Sequence, residues 1–220
     1  LEIEARLGYF KLEDDGSLCL PFDSDVGREW FNKIMEALKE QSFEVETITT
    51  TDYLVGSCRM SVDASGARSA MRKKTVEHSN FTYENSPFDL RVSFSQEEPM
   101  SVKEFNKLAK QEPPTVRKKN RTTFHTNHWR FDLTKVEFTK NSVDEARHEV
   151  EIEAKLEKIP YVDCVYMADS MLLKLKSLTN MCEAEAAEEP RKMIHLDKLS
   201  KRHIEISDLV AGLKKTSLSS

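Results

Sequence analysis

The sequence predicts a mainly β protein, an antiparallel barrel of about eight strands that encloses a hydrophilic tunnel and carries helices on its outside. Two observations support this fold class. Most segments of the 220-residue chain alternate polar and apolar residues with the period of two that is typical of strands. Groups of turn-forming residues, such as 14–17 and 64–66, separate these segments.

The same patterns place the elements along the chain. Phe31, Ile34 and Leu38 recur at helical spacing, and either Asp23 or Ser24 is a suitable cap for the helix that contains them. The predicted helices cover residues 24–41, 101–111 and 163–182. The predicted strands cover residues 1–11, 44–62 (divided into two), 69–77, 88–98, 115–125, 128–139 and 145–157.

Composition limits the class of protein. Residues 1–183 are expected to form one domain, and residues 184–220 a linker with a weakly helical, partly disordered tail. No apolar run approaches the roughly 20 residues that cross a membrane. The formal net charge of -5 argues against a wide basic surface for nucleic acid, so any anion site must be local. The four cysteines lack CxxC spacing, which favours reduced thiols inside a cell.

Glutamates dominate one face of two predicted strands. Near the start, Glu2 and Glu4 alternate with apolar residues, and near residue 150 the same pattern places Glu149, Glu151 and Glu153 on one face. Carboxylates spaced about 6.6 Å apart along a strand repel one another unless a cation lies among them. A solvated outer face of a sheet is the alternative interpretation.

Two further strands carry basic groups on one face. A basic run alone is commonly a surface patch or a targeting signal. In the strand that begins at Trp129, however, the alternate positions are largely apolar and must pack against something. If they pack outward against the helices, the charged faces line the barrel interior. These faces carry Arg117, Lys119 and Arg121 on one strand and Arg130, Asp132 and Thr134 on the other.

A charged interior is costly unless ligands or opposite charges occupy it, so this arrangement indicates a site rather than a source of stability. Arginine and lysine bind phosphate oxygens, and carboxylates are the ligands that hard divalent cations prefer. The combination favours metal-assisted hydrolysis of a polyphosphate.

These strands resemble those of the fungal and protozoal RNA triphosphatases, the capping-enzyme branch of the triphosphate tunnel metalloenzymes. The similarity spans residues 1–157 and includes EIEARLG, VRKKNRTTF, WRFDLTKV and HEVEIEAKLE. Between them TDY, CRMS, RKK and DLRVSFSQE follow in the family's order. The resemblance implies that residues 1–183 form a catalytic tunnel domain. Its reaction would remove the γ-phosphate from RNA 5′-triphosphate ends, the first step of cap formation.

The resemblance also implies a role for each matching residue. A Mg²⁺ or Mn²⁺ ion would be held by Glu2, Glu4 and Glu153. The metal, its waters or the basic side chains of the neighbouring strands would be supported by Glu149, Glu151, Asp132 and Thr134. The γ-phosphate would be bound by Arg59, Lys119 and Arg121, with further substrate contacts from Lys74, Arg117, Arg130 and Asp52. Glu97 would orient or activate the attacking water.

Two of these matches are open in the sequence. The family's lysine could be Lys73 or Lys74, and its glutamate could be Glu97 or Glu98. We prefer Lys74 and Glu97, the latter because strand alternation places it on the same face as Arg91.

The resemblance further implies a soluble nuclear enzyme, with no membrane partner, that also hydrolyses nucleoside triphosphates with manganese and works with an mRNA guanylyltransferase. Its oligomeric state is open. One alternative is a tunnel enzyme for inorganic tripolyphosphate or thiamine triphosphate. Another is a non-catalytic module that binds phosphate or RNA ends, which would be expected to lose its acids and keep its bases.

Overall fold

The computed structural model has three helices outside a β architecture and describes residues 1–12, 18–82, 86–140, 143–158 and 164–183. Within these residues the helices are α1 (Arg28–Lys39), α2 (Val102–Gln111) and α3 (Cys164–Glu183), with a 3-10 turn at Leu156–Lys158. The strands are β1 (Glu2–Leu12), β2 (Leu18–Asp23), β3 (Glu44–Val55), β4 (Cys58–Asp63), β5 (Arg68–Thr82), β6 (Asp89–Met100), β7 (Thr115–His125), β8 (Trp129–Lys140) and β9 (Val143–Ala154).

Eight of the described strands close into a barrel. They follow one another in the antiparallel order β1-β6-β5-β4-β3-β7-β8-β9, and pairing between β9 and β1 completes the circle. β2, which the sequence analysis did not predict, pairs with the last part of β1. The prediction of an eight-stranded antiparallel barrel with helices outside is confirmed.

Two helices cover the apolar outer face of the barrel wall. Ile34 on α1 and Leu178 on α3 are completely buried in one cluster with Leu133 of β8. The indole N–H of Trp129 donates a hydrogen bond to Ser170 Oγ on α3 at 2.8 Å. Burial of each large apolar side chain stabilises the fold by about 1.5–3 kcal/mol, so this layer holds the helices to the barrel.

α2 covers a second, smaller part of the wall. Its Phe105 is buried beside Met60 of β4 and Ala70 of β5. The helix begins with a capping box, in which Ser101 Oγ accepts the N–H of Glu104 while the Glu104 carboxylate accepts the N–H of Ser101. This cap satisfies N–H groups that the first helical turn leaves unpaired.

The same strands turn their polar faces inward. Successive side chains alternate across a strand, so outward packing of Leu133 and Ile152 directs Asp132, Thr134 and Glu151 into the barrel. All three polar side chains are buried. The predicted hydrophilic tunnel is therefore confirmed, and its walls have the reverse of the usual arrangement of apolar inside and polar outside.

β2 approaches the barrel wall at a glycine. A Cβ atom on Gly8 would lie 2.2 Å from the backbone oxygen of Asp23 and 2.6 Å from the ring of Phe22. Gly8 shares its face of β1 with Glu4 and Arg6. Phe22 therefore covers the tunnel face of β1 at this end of the barrel.

The start of α1 differs from the sequence prediction. The helix begins at Arg28, and its N-cap is Gly27, with φ of 80° and no side-chain capping bond. Neither Asp23 nor Ser24 is the cap. The Asp25 carboxylate instead accepts the N–H of Gly27 at 3.0 Å, which fixes the turn before the helix.

The predicted tail, residues 184–220, lies outside the described residues, as do the predicted turn residues 14–17. The division into a domain and a tail therefore stays a prediction. None of the helices in the described part of the chain is long and apolar enough to span a bilayer.

Candidate active site

The strand pair that closes the barrel brings the two glutamate rows together. In the β1–β9 register Glu4 is opposite Glu153, and Arg6 is opposite Glu151. Residues that face each other in an antiparallel pair have Cβ atoms about 4.5–5.5 Å apart. Glu2 lies on the same face of β1 as Glu4. Three predicted metal ligands, Glu2, Glu4 and Glu153, thus share one part of the tunnel wall.

The ammonium group of Lys73 lies between two of these glutamates. Its Nζ contacts Glu2 Oε2 and is 3.5 Å from Glu4 Oε2. Burial alone would lower the pKa of Lys73, but Glu4 and Glu2 outweigh it and the pKa is raised. A cation therefore already neutralises part of this acidic cluster.

Strand register decides between the two candidate lysines. Lys73 is opposite Glu97 in the β5–β6 pair, whereas Lys74 is opposite Gln96. Lys74 is exposed on the outer face of β5. The preference for Lys74 as a tunnel residue is therefore wrong, because a step of one residue along a strand moves the side chain to the other face.

Crowding changes the ionisation of two of the glutamates. Burial, and then the neighbouring carboxylate of Glu151, raises the pKa of Glu4. Burial raises the pKa of Glu153 to about 7, against the lowering effect of Arg130 and with a further increase from Glu2. Each of these carboxylates would be stabilised in its charged form by an additional cation.

Glu151, in contrast, is held in its charged form by arginines. Its carboxylate is 2.6 Å from Arg6 Nε and 3.5 Å from Arg121 Nη2. Burial by itself would raise the pKa of Glu151, but Arg6 and Arg121 lower it to about 2. Its two oxygens therefore serve to position cations of the tunnel wall.

Asp132 holds two arginines at once. Its Oδ2 accepts a hydrogen bond from Arg121 Nη1 at 3.0 Å and lies 3.2 Å from Arg130 Nε, and its Oδ1 accepts from the Thr123 hydroxyl at 2.6 Å. Arg121 Nε also donates to the Thr134 hydroxyl at 3.1 Å. These contacts fix the orientation of the Arg121 guanidinium.

Lys119 is paired with the neighbouring strand. Its Nζ is 2.9 Å from Asp52 Oδ2, and the Asp52 side chain is buried. Burial would raise the pKa of Asp52, but Lys119 and a hydrogen bond from Ser61 lower it. Asp52, predicted to contact substrate, is placed instead as the partner of Lys119. Arg117, two residues before Lys119 on the same face, is exposed.

Arg59 and Glu97 meet across the tunnel face of β4, β5 and β6. Arg59 Nη2 lies 3.5 Å from Glu97 Oε1 and 2.9 Å from Met71 Sδ. Glu98, the other candidate glutamate, is exposed on the opposite face. Among the described residues, Arg59 Nε and Ser95 Oγ are buried polar atoms without a hydrogen-bond partner. Such atoms are expected to bind ligand or ordered water.

Glu149 is tied to the segment before α1, because its Oε1 accepts a hydrogen bond from the Ser24 hydroxyl at 3.1 Å. Neither Ser24 nor Thr123 was predicted to belong to the site. Alternation could have identified Thr123, which is two residues from Arg121 on the same face. No sequence signal identifies Ser24, since its contact depends on how the chain folds across the barrel.

The predicted metal ligands fit a hard divalent cation in their chemistry. All are carboxylates, and because burial raises the pKa values of Glu4 and Glu153, an added cation would stabilise their charged forms. In the described part of the chain, however, no three acidic, histidine or cysteine side chains converge as a metal-binding group. Lys73 contacts Glu2, and Arg130 Nη2 lies 2.6 Å from Glu153. Metal binding would have to displace these contacts.

A closed barrel that presents carboxylates beside arginines and lysines in its interior defines a tunnel-type phosphohydrolase. The chain belongs to the family of the mRNA capping enzyme beta chain, whose model matches residues 20–164. The chain is therefore an RNA 5′-triphosphatase, a hydrolase that acts in the first step of mRNA cap formation, as the motifs predicted.

Solved structures share this fold. The RNA triphosphatase Pct1 of S. pombe is 20% identical with a TM-score of 0.67, over 81% of this chain and 84% of that chain. Pct1 in complex with the Spt5 CTD is 20% identical with a TM-score of 0.64, over 81% of this chain and 85% of that chain. At this level of identity the likeness establishes the fold alone. No curated protein matches the chain in sequence.

Proposed function

We propose that this RNA triphosphatase is metal-dependent and that Glu2, Glu4 and Glu153 hold a Mg²⁺ or Mn²⁺ ion. The observation that carries the proposal is the meeting of Glu4 and Glu153 across the β1–β9 pair, where the pKa of each carboxyl is raised. When bound, the cation would neutralise phosphate charge during the reaction. Glu149, Glu151, Asp132 and Thr134 would support the ligands and the neighbouring bases.

The γ-phosphate would be bound by Arg59, Lys119 and Arg121. Arg121 is the best positioned of these, because its guanidinium is fixed by Asp132 and Thr134. The buried Nε of Arg59 has no hydrogen-bond partner among the described residues and can donate to a phosphate oxygen. Further contacts would come from Arg117, Arg130 and Lys73, with Asp52 holding Lys119 in place.

Glu97 would accept the proton of the attacking water. It lies on the tunnel face, where Arg59 Nη2 is 3.5 Å from its carboxylate. The water oxygen would attack the γ-phosphorus in line, its proton would pass to Glu97, and the bond to the β,γ-bridging oxygen would break. The products would be inorganic phosphate and a 5′-diphosphate RNA end, without a covalent enzyme intermediate.

We also propose that the same site hydrolyses nucleoside triphosphates with manganese, and that the protein acts in the nucleus beside a guanylyltransferase. A 5′-diphosphate end is the substrate that nucleotidyl transfer requires to complete a cap.

The experiment is release of labelled γ-phosphate from triphosphate-ended RNA, with and without Mg²⁺ or Mn²⁺, and with tripolyphosphate as a second substrate. We expect release only with a metal, more efficient turnover of RNA than of tripolyphosphate, and loss of both reactions in Glu97→Gln. The matched control is Glu98→Gln, since Glu98 is exposed on the outer face. Equal loss of activity in the two variants would contradict the role of Glu97, and full activity without metal would contradict the metal site.

A further inference from the structure

Three arginines share the tunnel face at one end of the barrel, and none of them forms an ion pair with a carboxylate of the described residues. Asp52 is opposite Arg117 in the β3–β7 register, but its carboxylate is paired with Lys119. Arg91 is opposite Arg6 in the β1–β6 register. Arg147 lies on the same face of β9 as Glu149, and Arg117 lies on the same face of β7 as Lys119. Measured from the metal-ligand glutamates, all three arginines lie in the same direction along the barrel. We call Arg91, Arg117 and Arg147 the arginine mouth.

The cations deeper in the tunnel differ from the arginine mouth because each has an acidic neighbour. The closest pairs are Arg6 with Glu151, Arg130 with Glu153, and Lys119 with Asp52. No ion pair within the described residues involves any arginine of the mouth. In agreement, burial and then the nearby charge of Arg6 lower the pKa of Arg91. Within the described part of the chain, the mouth thus keeps positive charge that no ion pair neutralises.

Neutral groups hold two of these guanidinium groups in place. Arg91 lies over the ring of Phe22, 4.8 Å from its centroid, and its Nε donates to Asn80 Oδ1 at 2.9 Å. Arg147 lies over the ring of Phe138 at 5.4 Å. An aromatic ring orients a guanidinium and leaves its N–H groups available to an anion.

The opposite end of the tunnel has acidic residues instead. Glu44 and Glu46 of β3 are exposed on the tunnel face there, opposite His125 and Thr123 of β7. At the arginine mouth the described residues include two half-buried acids on the tunnel face, Glu145 and Glu149 of β9, and the half-buried Asp23 and Asp25 lie beside Gly8 and His148. The exposed carboxylates at the opposite end repel a polyanion, whereas at the arginine mouth three arginines are available to it.

We propose that the arginine mouth binds the phosphodiester backbone of the nucleotides that follow the 5′-triphosphate, and that RNA enters the tunnel from this end. The inference rests on the proposed function of the tunnel interior. It assigns Arg91 and Arg147 to the part of the substrate that tripolyphosphate does not have, and it places Arg117 at the border between that part and the triphosphate. The arginine mouth would therefore favour RNA over free polyphosphate.

The test uses the full chain with Arg91 and Arg147 both changed to glutamine. For a triphosphate-ended RNA of about ten nucleotides, a length that single-strand sites commonly cover, we expect KM to rise roughly tenfold with kcat nearly unchanged. The kinetics with tripolyphosphate should stay at wild-type values. The matched control is Arg68→Gln, because Arg68 is exposed on the outer face at the β4–β5 turn.

A second measurement separates this inference from the proposed reaction. Binding of the same RNA with a 5′-hydroxyl end requires no hydrolysis. In the double glutamine variant, the slope of the logarithm of the binding constant against the logarithm of the salt concentration should become shallower by about 0.7 per lost phosphate contact. Lysine at both positions should retain most of the salt dependence. An unchanged salt dependence in the glutamine variant, or an equal loss with lysine, would overturn the arginine mouth. Absence of RNA hydrolysis in the wild type would instead contradict the proposed function.

Discussion

Arg121 illustrates how the fold prepares a single side chain for the role in phosphate binding proposed above. Asp132, Thr134 and Glu151 all lie within 3.5 Å of its guanidinium nitrogens. Because most of its donors are already directed by protein groups, the side chain loses little conformational freedom when a phosphate binds. Such prior ordering is expected where a transferred phosphoryl group must be held in line with water.

We predict that Arg121→Lys lowers turnover of triphosphate-ended RNA by roughly 10²-fold. An ammonium group keeps the charge but cannot donate two parallel hydrogen bonds to phosphate oxygens. It also cannot contact Asp132 and Thr134 at the same time in the same geometry. Steady-state kinetics of phosphate release measure the effect.

Lys118→Ala provides the comparison on the same strand. Lys118 is exposed on the outer face of β7, so its removal should leave kcat and KM near wild-type values. If Arg121→Lys and Lys118→Ala had similar activity, the assignment of Arg121 to phosphate would have to be given up.

The Asp52–Lys119 pair predicts a pH dependence of stability. The pKa of Asp52 is lower in the folded protein than its ordinary value of 3.8, so its contribution is present above that pH and is lost as pH falls through the folded value. Asp52→Asn should therefore lower the free energy of unfolding by about 3 kcal/mol near neutral pH, since it leaves Lys119 without its acid. The difference from wild type should shrink at pH below 3.8.

Urea unfolding from about pH 7 to about pH 3 measures this difference. Glu98→Gln is the control, because an exposed carboxylate on the outer face should contribute little at any pH. A difference for Asp52→Asn that stayed constant across the whole range would show that its charge is not the cause.

Alternation assigned the two faces of single strands correctly but could not align one strand with the next. It placed Glu97, Arg121 and Glu153 in the tunnel. It gave no basis for pairing Lys73 with Glu97, because the register between β5 and β6 is set by three-dimensional packing. The error at Lys74 is thus a limit of reasoning from one strand at a time.

At the scale of elements, β2 is the strand that the sequence did not predict. It is short and contains Pro21, which removes a backbone donor and weakens the strand signal. Its place depends on the close approach to Gly8 described above. The helices were predicted well by comparison, since the spacing of Phe31, Ile34 and Leu38 is independent of any partner strand.

We predict that Gly8→Ala destabilises the protein by about 1–3 kcal/mol, the usual range for an added methyl group in a packed position. The new Cβ would meet the backbone of Asp23 at 2.2 Å, so β2 would have to move away from β1. Chemical denaturation measures the loss. A variant as stable as wild type would show that β2 does not pack against β1 in this way.

At the scale of the whole molecule, the reversed barrel could be predicted only because two kinds of pattern agreed. Alternation alone does not say which face of a strand is inside. The amphipathic helices decide this, because they need an apolar surface and the outer wall around Leu133 and Ile152 provides it. The charged faces of the strands must then point into the interior of the barrel.

The acidic cluster predicts that a divalent cation stabilises the folded protein. With Mn²⁺ near a hundred times its dissociation constant, the thermal midpoint of the wild type should rise by roughly 5–10 °C. Glu4→Gln should lose this rise. Without metal the variant should be at least as stable as wild type at neutral pH, because the raised pKa of Glu4 means that its charged form disfavours the fold.

Differential scanning calorimetry with and without Mn²⁺ distinguishes these outcomes. Glu157→Gln is the control, since Glu157 is exposed after the barrel ends and should respond to Mn²⁺ like wild type. A full metal-induced rise in Glu4→Gln would contradict the assignment of Glu4 as a ligand.

Closure of the barrel between β1 and β9 has a consequence for how the protein forms. The first and last strands of the barrel must meet, so this contact joins residues that are among the most distant in the chain. Closing such a long loop costs more conformational entropy than a local contact does, so the pair is expected to form late in folding. Glu2 and Glu4 lie on the first strand of the barrel and Glu153 on its last, so Glu153 leaves the ribosome only when the other strands of the barrel have been translated. Nascent or partly folded chains therefore cannot assemble the acidic cluster, so binding of a divalent cation by this cluster would report directly on completed folding.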